Sequence, residues 1–436
     1  MRFTKGVLRN LFNNIDSMSV KVPYLITVLF IGFLISTRTY ALSIDDRLTR
    51  VIETFSLNPA SCGQTNPQIQ NDNLVALGRF LFNTTVLSGG KDTSCSTCHL
   101  DSKHLTDGLP VAVGVGGHGE GMARMASGGI IVPRNAFSLF NRSHPKYKTF
   151  FWDGKVIEQE GLIYSPIGEA ASKGFNSAFS VAAVLPILAR DEFLGEQQIY
   201  RSSRNLELVE SVYFDEKFNA ANKLINELLT FKSEEIKELN KLKSEAGIET
   251  LNLANIGNAI TAFLAVKLNN ECQVSQWDKY LAGNKPALTP VQKEGAILFF
   301  GKGRCAACHN GDLFTDMGFH SIGVPQGDFG THIHGQDIGR AGITFEQKDR
   351  YKFRTPPLLG VSKTPPYGHN GSFQDLITTV RFHVNPIPFL AKNGWTSERE
   401  LLTYGKILSS RSEILGYIDL ESEQELEAIV SFLEGL

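Results

Sequence analysis

Two copies of one short motif constrain this chain more than anything else in it. They are Cys95-Ser96-Thr97-Cys98-His99 and Cys305-Ala306-Ala307-Cys308-His309. Both read C-x-x-C-H. Two thiols at this spacing add to the two vinyl groups of one porphyrin, and the histidine that follows reaches the iron as an axial ligand. A redox dithiol does not need that histidine, and a zinc site needs two more ligands close by. The motifs therefore predict two covalent haem c groups, held through Cys95, Cys98, Cys305 and Cys308, with His99 and His309 on the irons. Four of only six cysteines are used in this way, so the chain is no disulfide scaffold.

Each motif follows a helix-like run. The first is Asn73-Leu74-Val75-Ala76-Leu77-Gly78-Arg79-Phe80-Leu81-Phe82, and the second is Thr289-Pro290-Val291-Gln292-Lys293-Glu294-Gly295-Ala296-Ile297-Leu298-Phe299-Phe300. Thr289 is placed as an N-cap with Pro290 at the first helical position. The shared pattern of Gly followed by Leu-Phe suggests a duplicated mono-haem module. Between the modules, 206–243 and 256–268 carry helical apolar spacing, and the charges from Lys232 to Lys243 read as a solvated helix face. Period-2 strands are scarce. The expected fold is mainly α, with two cytochrome c-like haem domains, long loops and a helical insertion. The expected division is 42–275 for the N-terminal haem domain with the insertion and 276–436 for the C-terminal one.

The first residues read as a leader. Arg2, Lys5, Arg9 and Lys21 precede an apolar run over 22–35, and Thr39-Tyr40-Ala41 offers small residues for cleavage after Ala41. The run is short of the ~20 residues a membrane span needs, so a signal peptide over 1–41 is expected, with an uncleaved anchor as the competing reading. Export to the periplasm agrees with covalent haem attachment. The 43 Lys+Arg against 45 Asp+Glu leave a net charge of −2, which speaks against nucleic acid as a partner.

From Asn73 onward the chain resembles the bacterial di-haem cytochrome c peroxidase family, which includes MauG-type enzymes. The resemblance rests on Pro133-Arg134-Asn135-Ala136, Phe151-Trp152-Asp153-Gly154, Phe319-His320-Ser321-Ile322-Gly323 and Asp337-Ile338-Gly339-Arg340. It continues through Phe353-Arg354-Thr355-Pro356-Pro357-Leu358 and Pro365-Pro366-Tyr367-Gly368-His369-Asn370-Gly371-Ser372-Phe373. The pattern departs from the family over about 196–250. The resemblance implies that electrons enter at the C-terminal haem, that hydrogen peroxide is cleaved at the N-terminal haem, and that Trp152 relays electrons between them.

The resemblance also implies roles for single residues. Family members often place a Met on the second axial position of the C-terminal haem. No Met follows Met317 here, and an ungapped count from Pro366 puts His383 at that position. The displaceable distal histidine of the N-terminal haem maps to His118 on the loop Gly114-Val115-Gly116-Gly117-His118-Gly119, unless His118 is an idle loop residue. His104 reads as structural, and His144 is a weaker distal candidate. The acid–base carboxylate maps by type and neighbourhood to Glu169, although an ungapped count places Ser172 there. An inter-haem Ca2+ would take Asn135 and the carbonyls of Thr364 and Pro366. Arg340 and Arg354 are expected to pair with haem propionates.

The function so implied is a periplasmic peroxidase. It would reduce hydrogen peroxide to water with electrons from a small cytochrome c or a cupredoxin, in a family that is often homodimeric. The alternatives are a MauG-type oxidase that modifies a partner protein and a non-catalytic di-haem electron carrier. Cys62 and Cys272 remain, and in an oxidising compartment this even remainder predicts a disulfide between them.

Overall fold

The computed structural model describes residues 42–59, 71–195, 214–230, 232–326, 336–392 and 398–436. The expected leader over 1–41 lies outside them. Residues 44–436 form one contact unit. The helices that build its three hydrophobic cores are α1 (Ile44–Phe55), α2 (Asp72–Asn83), α3 (Ala178–Val184), α4 (Phe214–Leu228), α5 (Glu234–Glu245), α6 (Leu253–Asn270), α7 (Gln276–Leu281), α8 (Pro290–Phe300), α9 (Leu376–Val384), α10 (Glu398–Ser409) and α11 (Glu423–Glu434). Strand is sparse among the described residues. β1 (Thr149–Phe150), β2 (Val156–Gln159) and β3 (Leu162–Tyr164) form an antiparallel sheet, and β4 (Phe319–His320) pairs antiparallel with β5 (Phe353–Arg354). The mainly helical expectation holds.

The helix ends follow local chemistry. Thr289 caps α8 by accepting from Gln292 N while the Gln292 side chain accepts from Thr289 N, and Pro290 occupies the first turn, where its missing N–H costs nothing. The predicted apolar stretch over 206–243 is two helices where it is described. Ser233 accepts from Ile236 N and so starts α5 afresh. On α5 only Ile236 and Leu239 are buried, which leaves its Lys and Glu residues on a solvated face.

One core joins α2, α3 and α6 with the loops of the first haem motif. A second joins α1, α7, α8 and α11, and a smaller third packs α10 against Phe373 and Phe382. Leu48 of α1 sits in this second core, and Asp45 receives both Lys293 Nζ at 2.8 Å and the Tyr280 hydroxyl at 2.7 Å. The arm before the first haem motif therefore closes on the C-terminal core. Cys272, just after α6, is disulfide-bonded. Cys62, the partner expected for it, lies outside the described residues.

The duplication suggested by the sequence shows as a repeated helix crossing. α2 crosses α6 at Gly78, and α8 crosses α11 at Gly295. A Cβ on Gly78 would lie 1.8 Å from Ala259 O and 2.9 Å from Phe263 Cβ. A Cβ on Gly295 would lie 1.8 Å from Ala428 O and 3.0 Å from Phe432 Cβ. Each glycine is thus fixed by the close approach of a backbone, not by its φ.

A half-buried guanidinium ties the sequence blocks together. Arg134 donates through Nε and Nη2 to Asp337, both at 2.8 Å, and through Nη1 to Asp153 at 2.6 Å. Both carboxylates are under 10% exposed. Burial alone would raise the Asp153 carboxyl, but Arg134 holds it below the usual carboxylate range. Arg354 N donates to Trp152 O at 2.8 Å, which fixes Trp152 against β5.

The crossing glycines give a direct test. G295A and G78A each gain up to about 1 kcal/mol of helix propensity but force a helix pair apart, at about 1–3 kcal/mol for overpacking. Each is expected to lower the thermal unfolding midpoint. An unchanged or raised midpoint would contradict the close crossing.

Candidate functional site

The residues of each C-x-x-C-H motif line a cavity. The N-terminal cavity, about 520 Å³, is lined by Cys95, Cys98 and His99. Cys95–Cys98 forms a single helical turn whose N-cap Ser94 and residue Thr97 bond each other reciprocally. His99 Nδ1 lies 2.8 Å from Leu105 O. A carbonyl only accepts, so Nδ1 carries the proton and Nε2 keeps its lone pair for a metal. Burial pushes His99 down to about 4 and the Cys95 and Cys98 thiols up to about 12. The imidazole is thus neutral, the form that ligates.

The C-terminal cavity, about 250 Å³, is lined by Cys305, Cys308, His309 and His383. His309 Nδ1 lies 3.1 Å from Phe314 O, and His383 Nδ1 lies 2.8 Å from Thr379 O, one turn back along α9. Both histidines therefore keep Nε2 free. Burial depresses both, His309 to about 4. His320 and His369 line this cavity too, but each is engaged elsewhere. His320 Nε2 pairs with Asp316 at 2.8 Å, and His369 stacks on Phe353 at 3.6 Å. No second histidine, and no Met or Tyr, lines the N-terminal cavity among the described residues. The two sites are unequal: two lone-pair imidazoles in one, a single one in the other.

Trp152, Asn135, Phe137 and Arg142 line both cavities. Trp152 Nε1 donates to Asn135 O at 3.0 Å. Asn135 N donates to His369 O and its Nδ2 to Leu109 O, both at 2.8 Å. Thr364 and Pro366 line the C-terminal cavity together with Asn135.

Three expected residues lie elsewhere. His118 is exposed and does not line the N-terminal cavity. The reason is Arg124, which is buried and donates to Val113 O, Gly114 O and Gly117 O, each at 2.7 Å, and to Thr93 Oγ1 at 3.1 Å. This clamp fixes the glycine loop just before His118. Glu169 is exposed on the short 3-10 turn Gly168–Ser172, off the cavity wall, because its neighbours Ile167 and Ala171 are the residues buried in the core. Arg340 lines neither cavity; its Nη1 donates to the carbonyls of Asp153 and Gly154 and its guanidinium covers Phe319. Arg354 does line the C-terminal cavity. His104 stacks on Phe140 at 3.7 Å, and His144 Nδ1 accepts from Lys146 N within its own turn.

The N-terminal cavity also holds residues that no motif marks. Glu192 sits on a one-turn π-helix, Arg190–Leu194, against the glycine loop, with Val115 N donating to its carbonyl at 3.1 Å. Burial raises its carboxyl above the usual range, opposed by Lys155. An isolated π-turn is a frequent mark of a functional site, but no sequence pattern distinguishes this one. Arg142 is the second such residue.

The donor sets fit haem c: each cavity holds two thiols and the lone-pair imidazole of its own motif, in apolar surroundings. Known proteins point the same way. A family model described as di-haem cytochrome c peroxidase matches residues 72–286. The cytochrome-c peroxidase IdrP2 of Denitromonas iodatirespirans is 24% identical over 385 residues, which span 83% of this chain and 85% of the relative. The cytochrome c551 peroxidase of Pseudomonas aeruginosa is 27% identical over 304 residues, spanning 70% of this chain and 69% of the relative. The solved structure of a MauG-like protein associated with microbial copper homeostasis matches with a TM-score of 0.57 at 23% identity, over 85% of this chain and 92% of that one. At that identity the likeness is one of fold.

The position of His118 makes a simple prediction. H118A should leave the optical and EPR spectra of both haems unchanged in the oxidised and half-reduced protein. A change of spin state on this substitution would contradict its place outside the cavity.

Proposed function

The chain belongs to the di-haem cytochrome c peroxidase / MauG family of oxidoreductases, and from that premise we propose that it is a periplasmic peroxidase reducing hydrogen peroxide to water. The observation that carries this reading is the inequality of the two cavities. His309 and His383 would offer a haem in the C-terminal cavity two imidazole ligands, a set that suits electron transfer. His99 alone serves the N-terminal site, which leaves room for a small substrate. A non-catalytic carrier needs no such room.

Haem c, when bound, supplies a redox-active iron in each cavity. The chain's own residues do the rest. Net reduction of one hydrogen peroxide takes two electrons and two protons and gives two waters. Trp152, lining both cavities, bridges them for single electrons from a small cytochrome c or cupredoxin. Cleavage of the O–O bond requires a proton to move from one peroxide oxygen to the other, so that the second leaves as water. A carboxyl near neutrality performs that shuttle best. Glu192 takes this role in place of Glu169, because it lines the cavity and burial raises its carboxyl. Asn135 with the carbonyls of Thr364 and Pro366 would hold Ca2+, since a hard cation favours oxygen donors. Arg354, on the wall of the C-terminal cavity, would pair with a haem propionate there. Export rests on the 1–41 leader; among the described residues no helix is long and apolar enough to cross a membrane.

Steady-state peroxide reduction with a reduced cytochrome c tests the assignment. E192Q is expected to lower kcat/KM about 10²–10⁴-fold, the usual worth of a positioned acid–base group, while E169Q stays within about twofold of the parent. Full activity in E192Q would remove Glu192 from the mechanism, and no peroxide turnover by the parent protein would overturn the peroxidase reading.

A further inference from the structure

Two buried guanidiniums meet at the wall between the cavities. Arg142 is 3% exposed and Arg354 is 1% exposed. Arg142 lies against the Tyr147 ring at 4.4 Å and the Phe137 ring at 4.6 Å, and Arg354 lies 5.5 Å from the same Tyr147 ring. Part of each fork is satisfied by carbonyls: Arg142 Nε by Ser138 O at 2.9 Å, Arg354 Nε by Phe151 O at 3.1 Å and Arg354 Nη1 by Thr355 O at 3.0 Å. Three further polar atoms, Arg142 Nη1, Arg354 Nη2 and Tyr147 Oη, are buried with no partner.

This arrangement is costly as it stands. A buried charge without a counter-ion costs several kcal/mol, and two of like sign repel. Arg134 nearby shows the ordinary solution, with a carboxylate on each side. Among the described residues no carboxylate forms an ion pair with Arg142 or Arg354. Two guanidinium nitrogens and a phenol around one ring are donors only, or donors by preference, and match a carboxylate.

We propose that Arg142, Arg354 and Tyr147 form one anion site that takes a haem propionate, and that Arg142, because it lines both cavities, sets the reduction potentials of both haems together. A fixed positive charge between the two sites favours the added electron at each. The proposal rests on haem binding and is independent of peroxide turnover.

The test is a spectroelectrochemical titration of the haem-loaded protein. R142Q keeps much of the side chain but removes the charge, and should lower both midpoint potentials; R142K should restore most of the shift. Should R142Q fail to load haem, Y147F deletes one hydroxyl under an intact ring and should lower both potentials by less. A shift in only one haem, or in neither, overturns the shared role. Wild-type potentials that move when chloride is exchanged for phosphate at constant ionic strength would assign the site to a small inorganic anion and overturn the propionate.

Discussion

The rest of the structure depends on one ion triad, the half-buried Arg134 between the buried carboxylates of Asp153 and Asp337. Its three members come from three separated sequence blocks, and two of them, Arg134 and Asp153, line the N-terminal cavity. The guanidinium offsets the burial of both carboxylates, and leaving a buried charge without its partner costs several kcal/mol. The triad also places its neighbours. Asn135 follows Arg134 and presents its carbonyl to Trp152 Nε1. Trp152 precedes Asp153 and is held through its own carbonyl by Arg354 N. Trp152, one of four residues that line both cavities, is thus fixed by backbone and side chain beside the triad.

Around this junction the same helical unit is used twice and then made unequal. Gly78 and Gly295 each let a helix cross its partner at a carbonyl, and each crossing precedes a C-x-x-C-H turn. The divergence lies in what closes each cavity. α9 brings His383 to the C-terminal cavity, with Nδ1 held by Thr379 O. The π-turn Arg190–Leu194 brings Glu192 to the N-terminal one. An imidazole on one cavity wall and a carboxyl on the other follow from which element closes each cavity.

Much of this was legible in the sequence where the signal is local. The haem motifs, the Thr289-Pro290 helix start and the glycine before Leu-Phe are short-range patterns, and the structure has helices and cavities where they point. His383 was found by counting, and α9 carries it to the cavity wall. Type and neighbourhood did not suffice where the chain between markers folds differently. Glu169 sits next to buried Ile167 and Ala171 and is exposed, and the glycine loop before His118 is clamped by Arg124. Arg340 looked like a propionate partner by type but serves two carbonyls. Glu192 and Arg142 gave no signal at all, since their importance comes only from the cavities that distant segments build around them.

The central claim is that the two haem sites differ in their axial ligands: two imidazoles at the C-terminal site and one at the N-terminal site. EPR of the fully oxidised two-haem protein measures this directly. One low-spin ferric haem accompanied by one high-spin ferric haem, with the low-spin signal lost in H383A, is the result this account predicts. Two low-spin ferric haems would contradict it.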